Sequence, residues 1–296
     1  MKRIPREKIK EAPNMWPEPA ARVALGESIW VETERYNASN GPIYVEGIEP
    51  GDTLVVAVED IVPVEVGWMN NGGPLRKRER VVIPVEKGVA KFPEGIEIPI
   101  EPMIGVIGVL PEATPDVLER VKTEDRGWRQ VINSPPGKHG GNMDCKEIGI
   151  GSRVYLRAQL PGGMLGLADV HALQGNGELS GTGIELAADV RLRMEKSQDL
   201  SCEWPLVETD QEIMAVATAR SYATASKEAF RALVDVVMKR YGLSFETANL
   251  IVCTIGDLRN CSVFMMNDGY LPDTEGKPPG DLTVGAAMHK LPKVWE

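Results

Sequence analysis

Short β-branched runs separated by turns that contain Gly or Pro fill the first two-thirds of the chain, and this spacing argues against a helical bundle. The clearest run is Thr53-Leu54-Val55-Val56-Ala57-Val58-Glu59-Asp60-Ile61, delivered by the turn sequence Glu49-Pro50-Gly51-Asp52. Further strands are predicted at 43–46, 81–85, 104–109, 153–160, 165–173, 184–192 and 212–219. In 153–160 the alternation is explicit, with Val154, Leu156, Ala158 and Leu160 on one face and Tyr155, Arg157 and Gln159 on the other. The 30 glycines and 22 prolines, against four Phe and six Tyr, fit many tight turns between short strands. A β-sandwich or barrel body follows.

Helical periodicity enters only late. From Ser226, the residues Phe230, Leu233, Val234, Val237, Met238 and Tyr241 recur at helix spacing, and Gly242 is a C-terminal stop. A second helix is predicted from an N-cap at Ser244, carrying Ala248, Ile251, Val252 and Ile255. The Gly/Pro-rich segment 268–280 reads as a loop leading to a short closing strand or helix. The expected fold is mainly β with an α+β C-terminal portion, a sandwich or barrel packed with a helix pair. The polar stretch Glu195-Lys196-Ser197-Gln198-Asp199 divides it into a β-rich region 1–200, which carries the Gly-rich site loops, and an α+β portion 201–296.

A net charge of -10 leaves no basic face for phosphates and excludes nucleic acid as a partner. The one basic run, Arg76-Lys77-Arg78-Glu79-Arg80, reads as a solvated turn before Val81-Val82-Ile83. The first residues lack the apolar run of a signal peptide and no stretch of about 18 apolar residues occurs, so a cytoplasmic protein with no membrane partner is expected. Four cysteines without a CxxC pair read as reduced thiols. Six scattered tryptophans without common spacing read as core or interface packing, and unpaired sheet edges favour a homodimer or higher homo-oligomer.

The chemistry concentrates in the centre. Two of the three histidines sit beside carboxylates in Gly-rich sequence, in His139-Gly140-Gly141-Asn142-Met143-Asp144 and in Asp169-Val170-His171-Ala172-Leu173-Gln174-Gly175-Asn176-Gly177-Glu178. Residues 133–142 are nearly all turn formers and read as an ordered loop. On a strand, Asp169 and His171 share a face, which suits either joint metal ligation or a carboxylate that merely orients a histidine. Asp144, on an irregular loop, adds a third hard ligand, and three N/O ligands with an open position make a hydrolytic site.

The stretch from His139 to Glu185, including HGGNMD, ADVHALQGNGE and SGTGIE, resembles the central signature of the acetamidase/formamidase family, in particular its shorter, acetamidase-like members. Gly41-Pro42-Ile43-Tyr44-Val45-Glu46-Gly47 through Asp52 is similar to that family's N-terminal motif, and the segment from Leu243-Ser244 to Asp257-Leu258-Arg259 to its C-terminal helix. The resemblance implies hydrolysis of a short linear amide to carboxylate and ammonia with a divalent metal in the site. It points to Asp144, Asp169 and His171 as ligands, with Glu185, His139, Asn142 and Gln174 nearby. Histidine with carboxylates suits zinc, although Mn or Fe fit, and an all-carboxylate subset would accept calcium. Glu185 or else Glu46 is the expected general base, and Asn142 and Gln174 are expected to donate to the oxyanion or accept from the substrate NH2. Two departures from the pattern stand out: Asn176 where an acid is expected and Ala168 where a glycine is expected. The alternatives are a thiol amidase using Cys145 and a metal- or ligand-binding β module without catalysis.

Overall fold

The computed structural model describes residues 1–6, 18–34, 39–64, 66–73, 76–114, 136–262 and 285–293. In chain order its strands begin with β1 (Lys2–Ile4), β2 (Ala21–Ala24), β3 (Ser28–Glu32), β4 (Asn40–Glu46), β5 (Thr53–Pro63), β6 (Val66–Gly73), β7 (Arg76–Glu86), β8 (Val89–Lys91), β9 (Glu97–Pro99) and β10 (Met103–Val109). There follow β11 (Gly140–Asn142), β12 (Arg153–Arg157), β13 (Leu165–His171), β14 (Glu185–Leu186), β15 (Ala188–Lys196), β16 (Leu206–Glu208) and β17 (Glu212–Ala219). Helices α1 (Tyr222–Tyr241) and α2 (Phe245–Ile255) precede β18 (Asp257–Ser262) and β19 (Gly285–Pro292).

These strands form two sheets, open in strand order. One runs β1-β3-β15-β5-β12-β16-β17-β19-β18; the other runs β11-β10-β13-β14-β6-β7-β8-β9, with β4 also on β13 and β2 on β4. The inner faces share one core, with Ile29, Val56 and Leu192 from the first sheet meeting Ile43, Ile107 and Leu167 from the second. On the outer face of the first sheet, Val55, Tyr155 and Ile213 pack against Leu233, Val237 and Val252 of the helix pair. Burial on both faces explains why β5 reads as a near-continuous apolar run, the pattern of a strand with no wet side. The mainly β body with a C-terminal helix pair is therefore a sandwich with a helical third layer.

Two helix signals act as read: Ser244 accepts from Thr247 N at 3.3 Å, and Gly242 closes α1 at φ +63. The cap of α1, which the sequence reading did not name, is Ser221, accepting from Thr224 N at 3.2 Å. The first helix begins at Tyr222, one residue after its cap, not at Ser226.

Two expectations are corrected. The basic run at 76–80 is the first half of β7, paired to β6, not a turn. Within the expected loop, Gly140–Asn142 is a strand on β10, with Val106 opposite Asn142 and Gly108 opposite Gly140. Across the expected boundary at 200/201, β16 pairs with β12, so strands of both regions share one sheet. The expected loop at 268–280 and Trp16, Trp128 and Trp295 lie outside the described residues. Among the described residues no helix is long and apolar enough to cross a membrane.

Candidate active site

The site lies where β10, β11, β13 and β14 meet. Met103 opposes His171, His171 opposes Glu185, and Glu185 opposes Trp68 across four neighbouring strands. Directly opposed residues on antiparallel strands put their side chains on the same face, so His171 and Glu185 meet by register. His171 Nε2 lies 3.0 Å from Glu185 Oε1 and 3.7 Å from Asp169 Oδ1. Two triads of donor atoms share this histidine, Asp169–His171–Glu185 and Asp144–His171–Glu178, each with its atoms within 4.8 Å of one another. All five residues are buried.

Packing four acids around one imidazole demands unusual backbone. Asp144, Asp169 and Glu178 adopt φ of 49, 60 and 47, a left-handed conformation costing on the order of 1 kcal/mol or more each outside glycine. Strain thus falls on three of the five donors. Ala168 shows no positive φ, which is why the expected glycine is dispensable there. Space comes from glycines instead: a Cβ on Gly105 would lie 2.7 Å from Asp144 Oδ1, and one on Gly183 would lie 2.6 Å from His171 Nδ1. Gly105→Ala is expected to push the Asp144 carboxylate out of the cluster, destabilising the fold by about 1–3 kcal/mol and weakening divalent-cation binding at least tenfold. Thermal melts and a metal titration check this; unchanged cation affinity would mean that Asp144 is no ligand.

Gln174 has a role the residue pattern did not give. Its Nε2 donates to Asp144 O at 2.6 Å, so its Oε1 is the atom facing His171 Nδ1 at 2.7 Å. An acceptor there requires the proton on Nδ1 and turns the Nε2 lone pair toward Glu185 and Asp169. Both ends of the amide are thus engaged, the NH2 through one of its two hydrogens, and the geometry ties Gln174 to Asp144 and His171. Asn142, turned so that Nδ2 faces Asp144, donates to Oδ1 and Oδ2 at 3.1 and 3.2 Å and so positions that carboxylate. His139 is buried between Gly137 and Gly140 but belongs to neither triad. Glu46 ends exposed on β4 opposite Ala24 and is not brought into the cluster.

Glu178 is the acid that the sequence reading left unassigned. Its loop is tied to β18 by Gly177 N donating to Cys261 O at 3.0 Å, and Ser262 Oγ reaches Glu178 Oε2 at 3.5 Å. Asn176, at the expected acid position, is half-buried with its Oδ1 unpartnered; the acid comes two residues later. The available signal was Gly177-Glu178 at the end of the quoted motif.

Burial pushes the Glu178 carboxyl up to about 8, with His171 opposing and the charges of Asp169 and Glu185 reinforcing the shift. Glu185 also rises to about 8, through burial and Asp169 against His171. Asp144 is raised well above the carboxylate range by burial and then by Glu178 and Asp169. For His171 the neighbouring Glu185 and Asp169 outweigh burial and raise it well above its ordinary value. Asp169 alone goes down, because His171 overcomes the burial that works upward.

The donor set suits a divalent cation. Asp169 Oδ1, His171 Nε2 and Glu185 Oε2 are buried with no hydrogen-bond partner, an arrangement that costs several kcal/mol unless a cation or proton compensates. Cys145, by contrast, is inert: its buried thiol is pushed well up by a hydrogen bond to Cys261 and by burial, the reverse of what a nucleophilic thiolate needs.

Residues 110–216 match the model of the Acetamidase/Formamidase family. A putative formamidase of Schizosaccharomyces pombe is 28% identical over 55% of this chain and 52% of its own length. An acetamidase of Mycolicibacterium smegmatis is 26% identical over 53% and 52%. The chain thus spans about half the length of the curated relatives it matches. Among solved structures, a predicted acetamidase/formamidase of Thermoanaerobacter tengcongensis superposes with a TM-score of 0.79 at 27% identity, covering 94% of this chain and 91% of that one. An acetamidase of Bacillus halodurans gives 0.81 at 26% identity over 98% and 97%. The chain is thus similar to the acetamidase/formamidase family in sequence across residues 110–216 and to its solved structures in fold over nearly its whole length.

Proposed function

We propose that this protein hydrolyses a linear carboxamide to a carboxylate and ammonia at the cluster of Asp144, Asp169, His171, Glu178 and Glu185. The observation that carries the reading is the set of unpartnered buried donor atoms converging on His171 Nε2, within a chain whose relatives are named acetamidase and formamidase.

Asp144, Asp169, His171 and Glu178 would hold a divalent cation, for which zinc suits the mixed N/O set. When bound, such an ion polarises the amide carbonyl and acidifies a coordinated water. The chain's own contributions are distinct. Gln174 fixes the His171 tautomer and Asn142 holds Asp144, so the donors are aimed before substrate arrives. Glu185 takes the proton of the attacking water and delivers it to the departing amine. In the cation-free protein burial raises its carboxyl to about 8, the direction of tuning that a group which both takes and returns a proton near neutral pH requires. Glu185 is preferred over Glu46 because it touches His171 and Glu46 is exposed.

The test is metal content by mass spectrometry with ammonia release from formamide, acetamide and propionamide before and after chelation. Activity lost on chelation and restored by one divalent ion is the expected result. Activity indifferent to chelation would overturn the cation's role, and no ammonia from these or longer amides would overturn the hydrolase reading. Assembly as a homo-oligomer and a cytoplasmic location belong to the same proposal.

A further inference from the structure

The row of opposed residues that builds the site continues outward to solvent. Beyond Glu185 comes Trp68 on β6, and beyond Trp68 comes Val82 on β7. Exposure rises along this row from His171 at 0% and Glu185 at 1%, through a half-buried Trp68, to Val82 at 62%. Val66, two residues from Trp68 and on the same strand face, is 42% exposed. Arg80, two residues from Val82, stacks its guanidinium 3.8 Å over the Trp68 ring centre. Among the described residues no carboxylate pairs with Arg80. In a chain of net charge -10, β7, separated from the Glu185 strand by β6, opens with the sequence Arg76-Lys77-Arg78-Glu79-Arg80.

We infer that the substrate carries an anionic group at the acyl end remote from its amide, with Arg80 binding the anion and Trp68 supporting the chain between. This rests on the amide-hydrolase reading of the buried cluster and adds its substrate class. A guanidinium lying on an indole is held flat, keeps its edge donors for a carboxylate, and binds better there than as an unsupported surface cation. Val66, Val82 and the Trp68 ring offer an apolar floor to intervening methylenes. Adjacent strands lie roughly 4.8 Å apart, so the guanidinium over β6 is about 5–10 Å from the Glu185–His171 contact. That span fits three to four bonds between amide carbon and carboxylate carbon, as in the monoamides of four- and five-carbon dicarboxylic acids.

The experiment compares kcat/KM for succinamate with that for 4-oxopentanamide, which replaces the carboxylate by an uncharged acetyl group, in wild type, Arg80→Gln and Arg80→Lys. Calorimetric binding of both amides is measured on the same proteins. The wild type is expected to favour succinamate at least tenfold, Arg80→Gln to bring the ratio near one, and Arg80→Lys to restore part of it. Because the ratio is internal to each protein, a loss of folded enzyme does not mimic the effect. A wild-type ratio near one, or a ratio that Arg80→Gln leaves intact, overturns the inference, and ammonia from either amide then still supports the hydrolase. Tighter binding of succinamate to wild type than to Arg80→Gln with no ammonia released retains the anion site and removes the hydrolase reading.

Discussion

Glu185→Gln is expected to lower kcat for amide hydrolysis by about 10²–10⁴, with KM changed little, while raising the folding stability of the cation-free protein. The two effects have one origin. Glu185 is buried with its carboxyl pushed up to about 8, so at pH 8 the unfolded chain carries this group ionised while the fold resists that ionisation. Glutamine keeps the shape and removes the penalty, a gain on the order of 2–4 kcal/mol at pH 8 after allowing for the lost contact with His171. A variant that merely misfolds would lose activity and stability together. Denaturant melts beside ammonia assays separate the cases. A Glu185→Gln protein retaining a third or more of wild-type kcat would remove Glu185 as the proton carrier.

Much of the body was legible because burial leaves a periodic trace. β5, β10 and β13 were predicted to within two residues, since each is an apolar run bounded by turn formers. Both helices were found from their 3.6-residue period, with Gly242 marking the end of the first and Ser244 the start of the second. β11 escaped because Gly140-Gly141-Asn142 has no side-chain alternation to read; its strand character comes from the register of β10. The run at 76–80 escaped for the opposite reason, its charges masking strand residues on a hairpin.

The site was legible by neighbourhood rather than by role. Asp144, Asp169, His171 and Glu185 converge as expected, but Glu178 was passed over because its contribution depends on a left-handed turn and on a tie to β18, more than 80 residues away. Gln174 looked like a substrate-facing amide; only the carbonyl of Asp144 at one end and the imidazole at the other assign it to the histidine. Roles of this kind are set by which donor meets which acceptor, and residue type alone leaves that open.

The cation-free protein is expected to lose stability as pH rises from about 5 to 8, opposite to the trend of an ordinary acidic protein relieved of acid stress. Glu178 and Glu185 have folded values raised to about 8 from 4.5, so between these limits the unfolded chain has released protons that the fold still holds. Stability falls with rising pH wherever the folded state binds more protons. Asp144, also raised, acts in the same direction. His171, raised above 6.5 by its acidic neighbours, contributes stability that is complete below 6.5 and lost as pH climbs through its folded value. Within the cluster Asp169 alone, lowered below 3.8, works the other way, and its contribution disappears only under acid, below this window. A carboxyl raised from 4.5 to about 8 corresponds to about 5 kcal/mol for one group, and since the two glutamates share neighbours, the total drop is expected to be of that order rather than double. A saturating divalent cation should reverse the slope, because it binds the carboxylates the fold otherwise resists and adds stability that grows as they deprotonate. Urea melts at pH 5, 6.5 and 8, with chelator and with added metal, read both curves. A chelated protein equally stable at pH 5 and 8 would mean that these acids are not packed as closely around His171 as their geometry indicates.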